Sequence, residues 1–238
     1  MNPLFSPIKL KNLTLNNRIV VPPMDQYSAE DGQPVNWHAM HYGNLAVSGA
    51  GLVIVEATAV EPAGRISPQD LGLWNSAQEA AHKGMLDTIR SYSSTPMGIQ
   101  IGHAGRKGST GRPWEGGKPL PADGAGWKIC APSALPHGPG HQTPAALTAA
   151  DIARLTESFV ATAQRAVRAG YNLIELHAAH GYLMHEFLSP LSNTRTDAYG
   201  GSLENRMRFP LEVLAAVLAA VPARFPVGVR VSGTDFVD

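Results

Sequence analysis

The chain has 238 residues, 44% of them hydrophobic and 16% charged, with 19 Lys plus Arg balancing 19 Asp plus Glu. That composition excludes a disordered acidic or basic chain, and the zero net charge excludes nucleic acid or anionic lipid as its main partner. Cys130 is the only cysteine, so an internal disulfide and a thiolate metal cluster are both excluded, which fits a reducing cytoplasm. Residues 1–11 show no apolar run after a basic start, and the longest apolar stretches, 52–55 and 214–221, are too short to span a bilayer. The expectation is therefore a cytoplasmic protein with no membrane contact.

Short β-type runs alternate with helical patterns along the whole chain. The first run is 18–24, followed by a helix over about 36–48 that Gly49 closes. Residues 51–57 form a continuous apolar strand of the kind buried on both faces. A helix near 77–92 and a third strand at 96–101 come next. Gly and Pro then crowd residues 102–147, which reads as a loop excursion rather than a low-complexity linker. Thr148 and Asp151 start the next helix with a capping-box-like pair. Ile152, Leu155, Phe159, Ala163 and Ala166 recur at three- and four-residue steps, and Gly170 is placed to stop it. Residues 171–176 form the fourth strand, 203–221 a helix and 226–231 the fifth strand.

Strand-helix repetition with apolar strands means parallel sheet, either a closed (β/α)₈ barrel or an open doubly wound one. No strand is followed by G-x-G-x-x-G, which removes the best argument for the open form. Asp25, Gln100, His177 and Arg230 gather at the C-terminal strand ends, which in a barrel share the face where active sites lie. The predicted fold is a TIM barrel, of which residues 1–238 supply about the first five β/α units as the N-terminal part of one domain.

Several polar residues at those ends admit more than one reading. His177 and His180 follow strand four, and one helical turn there would bring both imidazoles to the same side. They fit a pair of N–H donors for a developing anion, a zinc pair short of ligands, or two loop polar groups. Tyr182 offers a phenol that can act as a general acid or simply pack. Gln100 presents a donor and an acceptor, as a heterocycle with alternating polar edges requires. Arg230 calls for an anionic partner, either a ligand or a structural ion pair with Glu56 or Glu175. Asp25, after the rigid Pro22-Pro23-Met24, fits a base, a cap or a solvated loop acid. Residues 103–107 (His-Ala-Gly-Arg-Lys) read by default as a solvated loop, with an anion site as the alternative.

Taken together, residues 15–19, Pro22-Pro23-Met24, 56–60, 100–107, 175–183 and above all 192–206 resemble the Old Yellow Enzyme family. The likeness is to bacterial xenobiotic reductases and the thermophilic-like NADPH dehydrogenase branch. It implies FMN across the barrel mouth and NADPH or NADH as hydride donor to an ene-reductase of small activated alkenes. Pro22, Pro23, Met24, Asp25, Ala57, Gln100 and Arg230 are implied around the flavin, Arg230 beside the edge that turns anionic on reduction. His177 and His180 are implied to hold an enone oxygen, Tyr182 to protonate Cα, and Tyr27 and Ile66 to contact substrate, with no metal.

Two departures stand out. This branch usually has cysteine after Pro-Pro-Met, where this chain has Asp25, so an ionised carboxylate beside the flavin is expected to make it harder to reduce. The family barrel also continues for three further strand-helix units, which include the FMN phosphate site. The chain is therefore expected to need a complementary C-terminal part, and to form a homo-oligomer. The competing expectations are a non-catalytic barrel fragment and, against the single cysteine, a dienoyl-CoA reductase relative with an iron–sulfur domain.

Overall fold

The computed structural model describes residues 2–237. It opens with an antiparallel hairpin, β1 (Ile8–Leu10) and β2 (Leu13–Leu15), which the periodicity reading missed because each strand is only three residues long. Lys11 makes the tight turn with φ 54°.

The main sheet is parallel. Its strands are β3 (Val20–Val21), β4 (Leu52–Ala59) with the short β5 (Leu71–Gly72) on its end, β6 (Met97–Gly102), β9 (Leu173–Ala178) and β10 (Val227–Val231). A second, two-residue parallel pair, β7 (Cys130–Ala131) and β8 (Ala145–Ala146), lies in the excursion after β6. The order β3-β4-β6-β9-β10 is simply chain order. The first strand is shorter than the predicted 18–24 because Pro22 and Pro23 lack the N–H needed to extend the ladder.

The helices are α1 (Asn36–Ala46), α2 (Ser76–Arg90), α3 (Ala149–Ala169), α4 (Leu183–Leu188) and α5 (Leu203–Ala220). Tyr42 of α1, Leu86 of α2, Phe159 of α3, Phe187 of α4 and Phe209 of α5 all join one core with Val53, Val55, Ile99, Ile101, Ile174 and Leu176. Those strand residues alternate along their strands, so every helix covers the same face. One covered face with sequential strand order is the winding of a barrel, since a doubly wound sheet puts helices on both. Each large side chain buried there stabilises the fold by roughly 1.5–3 kcal/mol. The alternate residues Leu52, Ile54 and Leu173 face the other way and pack on Leu15, with Ile8, Leu10 and Leu13 beside them. The hairpin thus closes the inner face at the N-terminal strand ends and leaves the other end open.

Helix α3 has the predicted boundaries for the predicted reasons. Thr148 Oγ1 accepts from Asp151 N at 3.2 Å, the Asp151 carboxylate accepts from Thr148 N at 2.9 Å, and Gly170 ends the helix at φ 103°. The excursion is fastened rather than loose. Arg195 donates to the carbonyls of Pro132 at 2.9 Å and Leu147 at 2.5 Å, and Trp127 donates to Ala63 O at 3.0 Å. At the sheet borders Val20 of β3 and Val229 and Val231 of β10 remain exposed. Among the described residues, no helix is long and apolar enough to cross a membrane.

Candidate active site at the strand ends

A bulge in β4 decides which side chains reach the open end. Val55 pairs with Ile99, but the next pair is Ala57 with Gln100, so Glu56 is the extra residue. Simple alternation would point Glu56 inward. The bulge instead turns it to α1, where Tyr42 Oη donates to its carboxylate at 2.5 Å. Ala57 is left facing inward beside Gln100. In neighbouring register lie Glu175 opposite Gln100 and Arg230 opposite His177. Gln100 Nε2 donates to Glu175 Oε1 at 2.8 Å. Neither Glu56 nor Glu175 pairs with Arg230, which makes no ion pair among the described residues.

A small pocket opens there, lined among others by Ala57, Thr58, Ile66, Asp70, His103, His177 and Tyr182. Gly102 belongs to its wall, and a Cβ there would sit 3.1 Å from that of His177, too close for an unshifted side chain. The His177 ring meets His180 edge-on at 5.1 Å and Tyr182 at 4.9 Å. The expected helical turn is absent. Instead His180 (φ 60°) and Gly181 (φ 73°) are both left-handed and fold the chain back, so that Tyr182 precedes α4. Ser232 Oγ accepts from His180 N at 3.0 Å, and Lys107 Nζ donates to His180 O at 2.9 Å, holding that uncommon backbone. Lys107 also lies 5.0 Å from the Tyr182 ring centroid.

The imidazoles are neutral. Burial, then the neighbouring His180, the cations Arg230 and Lys107, and His185, lower the His177 pKa to about 3. Burial and the same kind of neighbours lower His180 as well. His177 Nδ1 accepts from Ala179 N at 3.3 Å, so the proton sits on Nε2. The phenols are the reverse case. Burial, then the charge of Asp25 and Asp70, raises Tyr182, and burial with Asp25 foremost raises Tyr27. Tyr27 packs edge-on against Trp114 at 5.6 Å.

Two wall residues escaped the sequence reading. Asp70 is buried and accepts from Ile66 N at 2.6 Å, Ser67 N at 3.1 Å and Ser67 Oγ at 2.7 Å. Burial outweighs these bonds and raises its pKa to about 7. A serine-proline turn with an acid two residues on was the available signal. His103 is buried, against the solvated-loop reading, because its Nε2 reaches Glu61 at 3.2 Å while Nδ1 accepts from Gly105 N at 3.0 Å. Pro22 and Met24 are exposed at the rim, and Pro23, Asp25, Tyr27 and Arg230 are half-buried. Among the described residues, no group of three or more His, Cys, Asp or Glu could hold a metal ion.

A singly wound parallel sheet thus carries two imidazoles, a phenol and a guanidinium at its C-terminal ends. A sequence model of the NADH:flavin oxidoreductase / NADH oxidase family matches residues 3–238, and the chain belongs to that family. It is 46% identical over 237 residues to an NADH:flavin oxidoreductase of Gibberella zeae, covering 98% of this chain and 57% of that protein. It is 45% identical to an NADPH dehydrogenase of Bacillus velezensis, over 99% of this chain and 65% of the relative. Among solved structures, morphinone reductase in complex with tetrahydroNAD superposes with TM-score 0.86 at 34% identity, covering all of this chain and 65% of the other. The Old Yellow Enzyme homologue of Zymomonas mobilis gives 0.82 at 30% identity, over 96% and 62%. The chain thus spans less than two thirds of the relatives it matches. Its sheet is part of a TIM barrel of the Old Yellow Enzyme type.

Proposed function

We propose that the whole protein is an ene-reductase that reduces the C=C bond of activated alkenes, such as enones, with electrons from NADPH or NADH. The observation that carries this reading is the meeting of His177 and Tyr182, an N–H donor and a phenol, at one cavity with Ala57 and Ile66, with the exposed His180 ring edge-on to His177. The residues present fit FMN. Pro22, Pro23 and Met24 offer open backbone, Gln100 an amide edge, Ala57 a small surface, and Arg230 a cation with no protein partner among the described residues. When bound, FMN supplies hydride transfer, from the nicotinamide and then to the alkene β-carbon.

The chain's own residues do the remaining work. His177 and His180 donate to the carbonyl oxygen, where negative charge grows in the transition state, and being neutral and fixed they need no reorganisation. Tyr182 Oη hands its proton to Cα, and its raised pKa keeps that proton in place until a carbanion-like carbon develops. Tyr27 and Ile66 bound the substrate, and the neighbouring walls exclude water. The exposed edge residues Val20, Val229 and Val231 support a sheet completed by further β/α units that also anchor the FMN phosphate. Homo-oligomer formation belongs to the same reading.

The test is anaerobic. Full-length protein loaded with FMN should bleach on NADPH titration, then recover its oxidised spectrum when a cyclic enone is added. A protein that bleaches but is reoxidised only by oxygen refutes the alkene reading.

A further inference from the structure

Three carboxyl groups crowd the wall behind this cavity, and among the described residues no lysine or arginine pairs with any of them. Glu56 has two donors, Tyr42 Oη and Gln26 N at 3.2 Å. Asp70 has three donors of its own. Asp25 has one. Its Oδ1 accepts from Tyr27 N at 3.0 Å, while Oδ2 is shut away from solvent without a partner. Arg65, a cation within electrostatic reach of Asp70, is occupied elsewhere. Its guanidinium stacks 5.4 Å from Trp74 and 4.9 Å from Trp127 and donates to the carbonyls of Pro62 and Pro68.

An isolated buried carboxylate is far too costly to keep ionised without pairing, so it takes up a proton. The group with the fewest donors takes it. We propose that Asp25 is a carboxylic acid in the working protein, with the proton on Oδ2 turned toward Glu56, and that its charge state tunes how readily Tyr182 releases a proton. Independent support comes from the electrostatics: burial, then the charges of Asp70 and Glu56, raise the Asp25 pKa well above the ordinary carboxylate range. The coupling to Tyr182 runs through space, since anionic Asp25 is the first charge after burial that raises that phenol, with Asp70 behind it. Tyr27 feels the same charge. With Asp25 neutral, Tyr182 is the better acid. As pH rises and the Asp25 proton leaves to solvent, Tyr182 holds its own proton harder and proton donation slows.

The role given to Tyr182 rests on the proposed ene-reductase reading, but the test does not use turnover. NMR of protein carrying ¹³C at the aspartate carboxyl and at the tyrosine ring carbon bearing the hydroxyl follows both groups against pH. Asp25, assigned by its loss in Asp25→Asn, is expected to titrate well above the ordinary carboxylate range. The Tyr182 resonance should inflect at the same pH in the wild type and show no such inflection in Asp25→Asn. Titration of Asp25 in the ordinary carboxylate range overturns the proposal, as does a Tyr182 inflection that survives the substitution. Should the alkene assay fail while both NMR results hold, the ene-reductase reading alone falls.

Discussion

Glu61 and Asp70 stand nine residues apart on the same wall, yet they end in opposite states. Burial alone would raise Glu61, but hydrogen bonds from His103 and Arg154 outweigh it and hold the carboxyl down at about 2. Asp70 receives only neutral donors, and burial wins, at about 7. Asp25 goes the same way. A paired acid ties the excursion's first residues to α3 and the strand ends. Unpaired acids store protons next to the phenols. What separates structural from chemical carboxylates in this molecule is the supply of donors with charge, because burial is common to both.

The largest effect that could break this division is chemical. Tyr182→Phe should slow alkene reduction by about 10²–10⁴ while leaving flavin reduction by NADPH unchanged, since a general acid contributes on that scale. Stopped-flow measurement of the two half-reactions separates them, and equal losses in both would remove Tyr182 from proton donation. Next in size is Glu61→Ala, which strands the buried His103 imidazole. It should cost about 3 kcal/mol, the low end for breaking a buried pair, read as a drop in the urea midpoint with unchanged slope.

Smaller effects sharpen the contrast through pH. Glu61 has a folded pKa below its unfolded value, so its contribution is present above the ordinary 4.5 and is lost as pH falls toward 2. The stability gap between wild type and Glu61→Gln should therefore shrink across that window. Asp25 is the mirror image, because a raised pKa favours the fold at low pH and works against it once the group must ionise. Asp25→Asn should match the wild type near pH 3 and become the more stable protein as pH rises above the ordinary carboxylate value of 3.8. A gap that closes with rising pH would contradict a proton-holding Asp25. The smallest effect concerns the FMN midpoint potential. Asp25→Asn should leave it nearly unchanged below the pH at which Asp25 titrates, where both side chains are neutral, and raise it relative to wild type above that pH. The expectation of a flavin made harder to reduce by Asp25 then applies above that titration, where a carboxylate would repel the reduced flavin.

The placement of the site was partly legible. Gln100, His177 and Arg230 end apolar runs, and a parallel sheet sends such ends to one side, so their company could be anticipated from the sequence. Asp70 was legible only as a serine-proline turn, its donors lying three and four residues back. His103 could not be anticipated, because its burial depends on Glu61, 42 residues away. Nothing in the local pattern of residues 103–107 distinguishes a buried imidazole from a wet one.

Local chemistry determined the elements by itself: a Thr148–Asp151 cap, a three-and-four apolar step and Gly170 are enough to write α3, and continuous apolar runs enough to write β4 and β6. These depend on neighbours within a few residues, where the chain's own geometry fixes who meets whom. Tertiary structure alone decided the one-residue bulge that turns Glu56 outward and Ala57 inward, and the left-handed pair His180–Gly181 that sets Tyr182 against His177. It also decided the protonation of Asp25. Each of these is settled by partners distant in sequence, Tyr42, Gln100, Lys107 and Ser232 among them, and a buried charge is stabilised only by the groups that packing brings to it.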